Sequence, residues 1–313
     1  MTTTHDHTVL VVGESLVDVV SSGSLRDEHP GGSPLNVAFG LGRLGVETAL
    51  LTEFGEDDHG ALLASHLDSA HVTVLRPEGF ARKTSTAEAV LQPDGSAEYW
   101  FDVEWTMPPL PEVPHAEFIH TGSIAAMREP GQHAVTQLFE EPPLRAILSY
   151  DPNVRPAVMG DRRAALQRVE HLAECAHIVK LSDDDAAWLY PGMSVNEVCD
   201  HILDLGVSLL AVTLGAQGAF LASGSARIQV PAVPVMVADT IGAGDAFMSA
   251  LLYGLVRDEL QTTVLTGTFD EHALRELART SLTGASITVS RPGAMPPTRD
   301  ELDSALLLQA SRR

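Results

Sequence analysis

Short, almost uninterrupted apolar runs alternate with amphipathic stretches along most of this chain. The runs are Thr8–Val12, Ala49–Thr52, Phe118–His120, Ala146–Tyr150, Ile178–Leu181 and Leu209–Leu214. A strand that is apolar on both faces must be covered on both, as in a parallel sheet layered between helices. Asn36–Leu44, Asp58–Ser69, Arg163–Cys175 and Asn196–Leu205 supply the helical pattern between the runs. The alternation predicts an α/β fold, with a mostly parallel central sheet and helices on both faces. Ligands of such sheets sit beyond the carboxyl ends of the strands. Gly13-Glu14, Gly122-Ser123, Asp151-Pro152-Asn153 and Ser182-Asp183 fall just there.

Two regions break the rhythm. Val17–Val20 is followed by a polar, glycine-bearing segment that runs through Pro30. Thr86–Leu91 and Ala97–Phe101 alternate around Pro93-Asp94-Gly95, the pattern of a β-hairpin. These pieces predict a small antiparallel accessory sheet. Four prolines between Met107 and Pro114 suit a rigid connection back to the main body.

A 313-residue chain that is 44% apolar fits one large α/β unit. Its formal charge of −22 argues against nucleic acid and anionic lipid as partners. Any anionic substrate must therefore be drawn by a local positive site. The two cysteines, Cys175 and Cys199, lie in helix-like stretches and suit buried free thiols. No apolar stretch approaches membrane-spanning length and no secretory leader pattern opens the chain, so the cytoplasm is the expected compartment.

The most informative residues are Asp239-Thr240-Ile241-Gly242-Ala243-Gly244-Asp245, which lead into the apolar stretch Phe247–Leu255. Small residues at a helix start leave backbone amides open at the positive end of the dipole, a ready anion site. A carboxylate inside such a site, Asp245, makes sense as the base for a hydroxyl that attacks a phosphoryl group. Read alone, the same stretch also suits an ordinary N-cap and tight turn. Only two lysines occur, Lys83 and Lys180, and neither follows a glycine, so a P-loop is excluded. Phe247 stands where a dinucleotide fingerprint needs its third glycine. A second constellation, Pro30-Gly31-Gly32-Ser33-Pro34-Leu35-Asn36, precedes the helix Val37–Leu44. Its glycines permit close backbone approach, and Asn36 offers a donor and an acceptor to a sugar hydroxyl.

The early Gly-Gly-x-x-x-Asn segment and the late Asp-Thr-x-Gly-Ala-Gly-Asp segment resemble the two signatures of the PfkB (ribokinase-like) family of carbohydrate kinases. The resemblance runs from Val9 to about Leu307 and implies a ribokinase-like fold over residues 1–313. Its lid would be discontinuous, from about 14–32 and 84–106. It implies Asp245 as general base, with the amides of Gly242, Ala243 and Gly244 as the anion hole. Asp18, Gly31, Gly32 and Asn36 would hold the sugar, and Thr213, Gly215 and Gly218 the nucleotide. Ser281 stands where many members carry an asparagine near the adenine. ATP and Mg²⁺ are the implied cofactors, with a monovalent cation, usually K⁺. The cation's ligands map to Asp239, the Ile241 carbonyl and backbone near Thr288, Arg291 and Gly293. The family's Asn-x-x-Glu motif appears as Ser182-Asp183-Asp184-Asp185, which gives Asp185 an indirect part in organising Mg²⁺. Ser182 with its following carboxylates equally suits an N-capped helix start.

Within the family the chain is most similar to bacterial fructokinases, through Ser149–Arg155 and Phe118–Ser123. Gly122 replaces the sugar-binding glutamate of ribokinases, and Tyr99-Trp100-Phe101-Asp102 lacks the lid arginine of many relatives. Arg155 fits a substrate carboxylate or phosphate and an ion pair with a neighbouring acid equally well. The resemblance implies ATP-dependent phosphorylation of a primary hydroxyl, with fructose first. A sugar acid such as 2-keto-3-deoxygluconate is the alternative within enzymes, and a silent sugar- or nucleotide-binding regulator the alternative outside them. The small sheet is marginal alone and its exposed edges invite a partner. A homodimer through the lid is expected.

Overall fold

The computed structural model describes residues 7–22, 25–77, 83–91, 97–108 and 113–311. Thirteen strands are described: β1 (His7–Val12), β2 (Leu16–Ser22), β3 (Leu25–Gly31), β4 (Thr48–Leu51), β5 (Thr73–Leu75), β6 (Ser85–Leu91), β7 (Ala97–Asp102), β8 (Ala116–Gly122), β9 (Ile147–Asp151), β10 (Ile178–Ser182), β11 (Leu209–Thr213), β12 (Ala219–Ala222) and β13 (Arg227–Val230). The helices are α1 (Ser33–Arg43), α2 (Asp58–Asp68), α3 (Gln132–Glu140), α4 (Pro156–Met159), α5 (Arg162–Cys175), α6 (Asp183–Leu189), α7 (Val195–Asp204), α8 (Ala243–Arg257), α9 (Gln261–Thr266), α10 (Glu271–Val289) and α11 (Arg299–Ala310).

Nine strands form the main sheet in the order β13-β12-β11-β10-β9-β8-β1-β4-β5. It is parallel from β5 to β11, and antiparallel only at the β12–β13 edge. From β1 the chain first winds outward through β4 and β5. It then returns and winds the other way from β8. The switch point therefore lies between β1 and β8, where a crevice opens at the carboxyl ends. The core residues of α1, α2, α8, α10 and α11 cover one face, and those of α3, α5, α6 and α7 the other. Both faces are thus buried, as the uninterrupted apolar runs require.

The second sheet has the order β3-β2-β6-β7. Its β2–β6 pair is parallel and its outer pairs antiparallel, so it is a mixed sheet and not the wholly antiparallel one expected. The segment through Pro30 is strand β3, paired with β2 from Leu16↔Gly31 to Ser22↔Leu25. Its own sequence has little strand propensity, and pairing along β2 overrides that. The turn Pro93-Asp94-Gly95 lies outside the described residues. Helix α1 begins at Ser33, a turn earlier than its apolar pattern, because Pro34 is accepted in a first turn. Cys175 and Cys199 are free thiols. Among the described residues no helix is long and apolar enough to cross a membrane.

Candidate active site

Side chains cap most of the long helices: Asp57, Asp161, Ser194, Asp270 and Thr298 each accept an amide of the first turn of α2, α5, α7, α10 and α11. α1 and α8 begin instead at Gly32 and Gly242, and neither receives a side-chain cap. Gly242 is left-handed at φ 73°, and a Cβ there would lie 2.5 Å from the Ala294 methyl. The α8 start therefore presents dipole and amides with no side chain in front of them. The two uncapped starts meet at one carboxylate. Asp245, buried in the first turn of α8, accepts Ser33 Oγ at 2.6 Å on Oδ1 and Asn36 Nδ2 at 2.8 Å on Oδ2. α1 thus fixes the orientation of the Asp245 carboxylate, and part of the Asn36 amide is committed to that task.

Beneath this turn lies a buried polar cluster on β8, β9 and β10. Lys180 Nζ donates to Asp151 Oδ2 at 2.8 Å, and both residues are buried. Burial works against the ammonium charge, but the Asp151, Asp185 and Asp245 carboxylates outweigh it and raise Lys180 above its ordinary range. His120 lies 3.1 Å from Ser149 Oγ, and burial together with the Lys180 cation pushes its imidazole down to about 3. It is therefore neutral. His120 lies in the Phe118–Ser123 stretch that resembles the fructokinases, whereas Lys180 stood out by no motif. One signal was present: a lysine inside the apolar run Ile178–Leu181 must be buried and hence paired.

The smaller sheet brings Asp18 to the same place. Burial pushes its carboxyl up to about 6; His29 and Arg155 pull it down, and Asp245 pushes it further up. His29 is its direct partner across β2 and β3. Gly31 lies against it, since a Cβ there would fall 2.1 Å from Asp18 Oδ2. Gly32 follows as the N-cap of α1. Arg155 is exposed at the N-cap of α4, its guanidinium 3.1 Å from the Val154 carbonyl. Glu14, just past β1, accepts the Ala125 amide at 2.8 Å and the Ile124 amide at 3.4 Å. It thereby ties the ends of β1 and β8 across the switch point. Burial raises Glu14 to about 7.

Thr213 ends β11, and Gly215 and Gly218, both at positive φ, shape the turn into β12. Ser281 is fully buried in α10, where its hydroxyl donates to the Leu277 carbonyl at 2.8 Å, so no ligand reaches it in this conformation. Asp185 sits at the third position of α6. It accepts the Ser182 amide on one oxygen and the Val154 amide on the other, each at 2.8 Å, in a capping box. Its helix-start role is therefore present, and it also pins the loop that carries Arg155. Asp239 accepts the amides of Ile241 at 3.0 Å and Gly293 at 2.9 Å, which hold its carboxyl below the usual range. The amides of Ala238 and Asp239 bond the Val289 carbonyl, and Arg291 N bonds the Thr288 carbonyl. Asp239, Ile241, Thr288, Arg291 and Gly293 are thus stitched into one oxygen-rich corner beside the α8 start.

The assembled geometry is an oriented, buried carboxylate at an open helix N-terminus, within electrostatic reach of a second carboxylate on the smaller sheet. That arrangement suits transfer of an anionic group to a hydroxyl. The chain is 31% identical over 279 residues to a fructokinase of Rhizobium leguminosarum bv. trifolii, covering 85% of each. Aminoimidazole riboside kinase from Salmonella enterica, solved with aminoimidazole riboside and an ATP analog, superposes with a TM-score of 0.78 at 26% identity, over 96% of this chain and 100% of that one. A fructokinase double mutant from Vibrio cholerae, solved with fructose, ADP and a potassium ion, does so with a TM-score of 0.76 at 25% identity, over 96% and 99%. The family model for pfkB family carbohydrate kinases matches residues 7–301, and the chain belongs to that family.

Proposed function

We propose that this sugar kinase transfers the γ-phosphoryl group of ATP to a primary hydroxyl of a monosaccharide, with fructose as the favoured acceptor. One observation carries the reading: Asp245, oriented by Ser33 and Asn36, lies in the first turn of an uncapped helix. The open amides at Gly242–Gly244 suit the polyanionic end of a nucleotide. When bound, ATP supplies the phosphoryl group, and Mg²⁺ offsets charge on its phosphates. Among the described residues no three His, Cys, Asp or Glu side chains converge as a metal cage. That suits Mg²⁺, which keeps several waters and takes few protein ligands. Asp185 is read as its indirect partner. The corner around Asp239, with one carboxylate and several carbonyls, has the oxygen donors a K⁺ ion takes.

Asp245 would accept the proton of the attacking hydroxyl as that oxygen bonds to the γ-phosphorus and the bond to the bridging oxygen breaks, so that ADP leaves. The Gly242–Gly244 amides stabilise charge that builds on the transferred group. Asp18 and Asn36 hold hydroxyls of the acceptor. The smaller sheet is read as a lid that limits access of water, which otherwise competes as acceptor. A positioned base contributes about 10²–10⁴-fold.

Fructose is supported by the fructokinase relatives. A sugar acid is the second reading, favoured by Arg155, which among the described residues pairs with no carboxylate and lies close enough to Asp18 to lower its pKa. ADP release measured across fructose, ribose and 2-keto-3-deoxygluconate separates the two. Fructose should give the largest kcat/KM; preference for the keto acid would transfer the assignment to sugar acids. Absence of sugar-dependent ADP release with any of them would remove it.

A homodimer through the smaller sheets is part of the same reading. Val20, Trp100 and Phe101 are exposed there. Light scattering at micromolar concentration should give twice the 33.4 kDa chain mass. A monomer at every concentration would leave the lid to close on its own body.

A further inference from the structure

We propose that Lys180, held by Asp151, is a positioning residue for the Gly242–Asp245 turn. From behind the turn its ammonium makes the anion site positive. The inference rests on the sugar-kinase reading above and adds a residue that no sequence motif singled out.

The geometry is specific. A Cβ on Gly244 would lie 3.0 Å from Lys180 Nζ and 3.9 Å from its Cε. A methyl at that position would press on the ammonium, and the glycine lets it rest directly against the first turn of α8. Asp151 Oδ2, at 2.8 Å, fixes the head group from the other side. The ammonium is therefore clamped between β9 and the α8 start.

Stability does not explain the pair. Taking both charges out of water costs several kcal/mol per ion before their attraction is counted, and apolar replacement of such pairs is often neutral or stabilising. Its position adds a further cost, because a cation at a helix N-terminus opposes the dipole. The arrangement becomes favourable once an anion occupies the turn. The charges around the site lead to the same conclusion. Asp151 on β9, Asp185 on α6 and Asp245 on α8 act on the Lys180 ammonium, and His29 on β3, Asp245 and Arg155 before α4 act on Asp18 on β2. His120 on β8 is uncharged. Ser33 and Asn36 on α1 contribute hydrogen bonds and no charge. Without Lys180, His29 and the exposed Arg155 would be left to offset the carboxylates of Asp18, Asp151, Asp185 and Asp245. The chain carries −22 overall, so a local cation has to supply the attraction. The other lysine, Lys83, is exposed and paired with Asp102.

The test compares the full-length wild type with Lys180→Met, Asp151→Asn and the double variant Lys180→Met/Asp151→Leu. Each is assayed for sugar-dependent ADP release against pH, for affinity toward a non-hydrolysable ATP analog, and for its unfolding midpoint. Lys180→Met should lower kcat by about 10²-fold, the scale of losing one preorganised charge-stabilising group. It should also weaken the analog, while sugar KM stays near wild type. Asp151→Asn should act in the same direction and less strongly, because the ammonium remains but is no longer clamped. The double variant should unfold at or above the wild-type midpoint and stay as slow as Lys180→Met. A merely structural pair would shift the midpoint alone. Folded variants with wild-type kcat and undiminished analog affinity would overturn the inference, as would failure of both Lys180 variants to fold. Absence of sugar-dependent turnover in the wild type would instead sink the underlying functional reading.

Discussion

Seven described helices have ten or more residues, and their starts divide into two kinds. Five open on an Asp, Ser or Thr whose side chain satisfies a first-turn amide. α1 and α8 open on glycines and receive no such cap. A glycine N-cap gives up only roughly a few tenths of a kcal/mol against a side-chain cap, so both starts stay open at small cost. The two exceptions are the pair that packs together and shares Asp245. Where the helix start serves only the fold, a side chain fills it. Where it faces the crevice, the amides stay open for a ligand.

That contrast can be broken in several ways. The largest effect is expected at Gly242. Gly242→Ala forces a side chain into the left-handed region and places a methyl against Ala294, so the turn must shift. Turnover should fall by about 10²-fold, as for loss of preorganised amide donors, and ATP-analog affinity should fall with it. An active, tightly binding Gly242→Ala enzyme would show that the open turn is incidental.

Asp18→Ala should come next, at about 1.5–3 kcal/mol of sugar binding, the value of a charged hydrogen-bond partner. Calorimetry should show nucleotide binding preserved; equal loss of both ligands would make Asp18 structural.

Asp18 also predicts a pH dependence. Burial raises its folded value to about 6 from 3.8. A carboxyl raised in this way contributes stability that is fully present below 3.8 and lost as pH rises through 6. Asp18→Asn should therefore raise the unfolding midpoint at pH 8, with the gain fading toward pH 4. Wild-type sugar affinity should weaken below pH 6, where the acceptor carboxylate becomes protonated. An Asp18→Asn midpoint independent of pH would contradict the burial argument.

The smallest functional effect belongs to the capped helices. Ser194→Ala at α7 should cost ~1 kcal/mol of stability and leave turnover unchanged. A loss of activity there would blur the division between the two kinds of start.

β1, β4, β8, β9, β10 and β11 were legible because each is buried on both faces and so reads as an apolar run, whereas β5, exposed at Thr73 and half-buried beyond it, gave no such run. β3 was not, since Leu25–Gly31 forms a strand through its partner β2 and not through its own residues. β12 and β13 are short edge strands with no βαβ rhythm around them. In the candidate site, Asp245 and its turn were visible because small residues before an apolar helix have few uses. Ser33 was hidden: its contact with Asp245 spans 212 positions of sequence, and a serine beside a proline looks like turn chemistry. Lys180 carried a readable signal, a charge in a buried strand, that no local pattern explained. Ser281, placed near the adenine by the resemblance, is buried in α10 with its hydroxyl on the Leu277 carbonyl.

The most direct measurement is sugar-dependent ADP release by Asp245→Asn beside the wild type, with ATP-analog affinity determined on the same samples. If the open α8 start holds phosphate and Asp245 takes the proton, turnover falls at least ~10²-fold while analog affinity and unfolding midpoint stay close to wild type. A folded Asp245→Asn protein that turns over within a few-fold of wild type would contradict it.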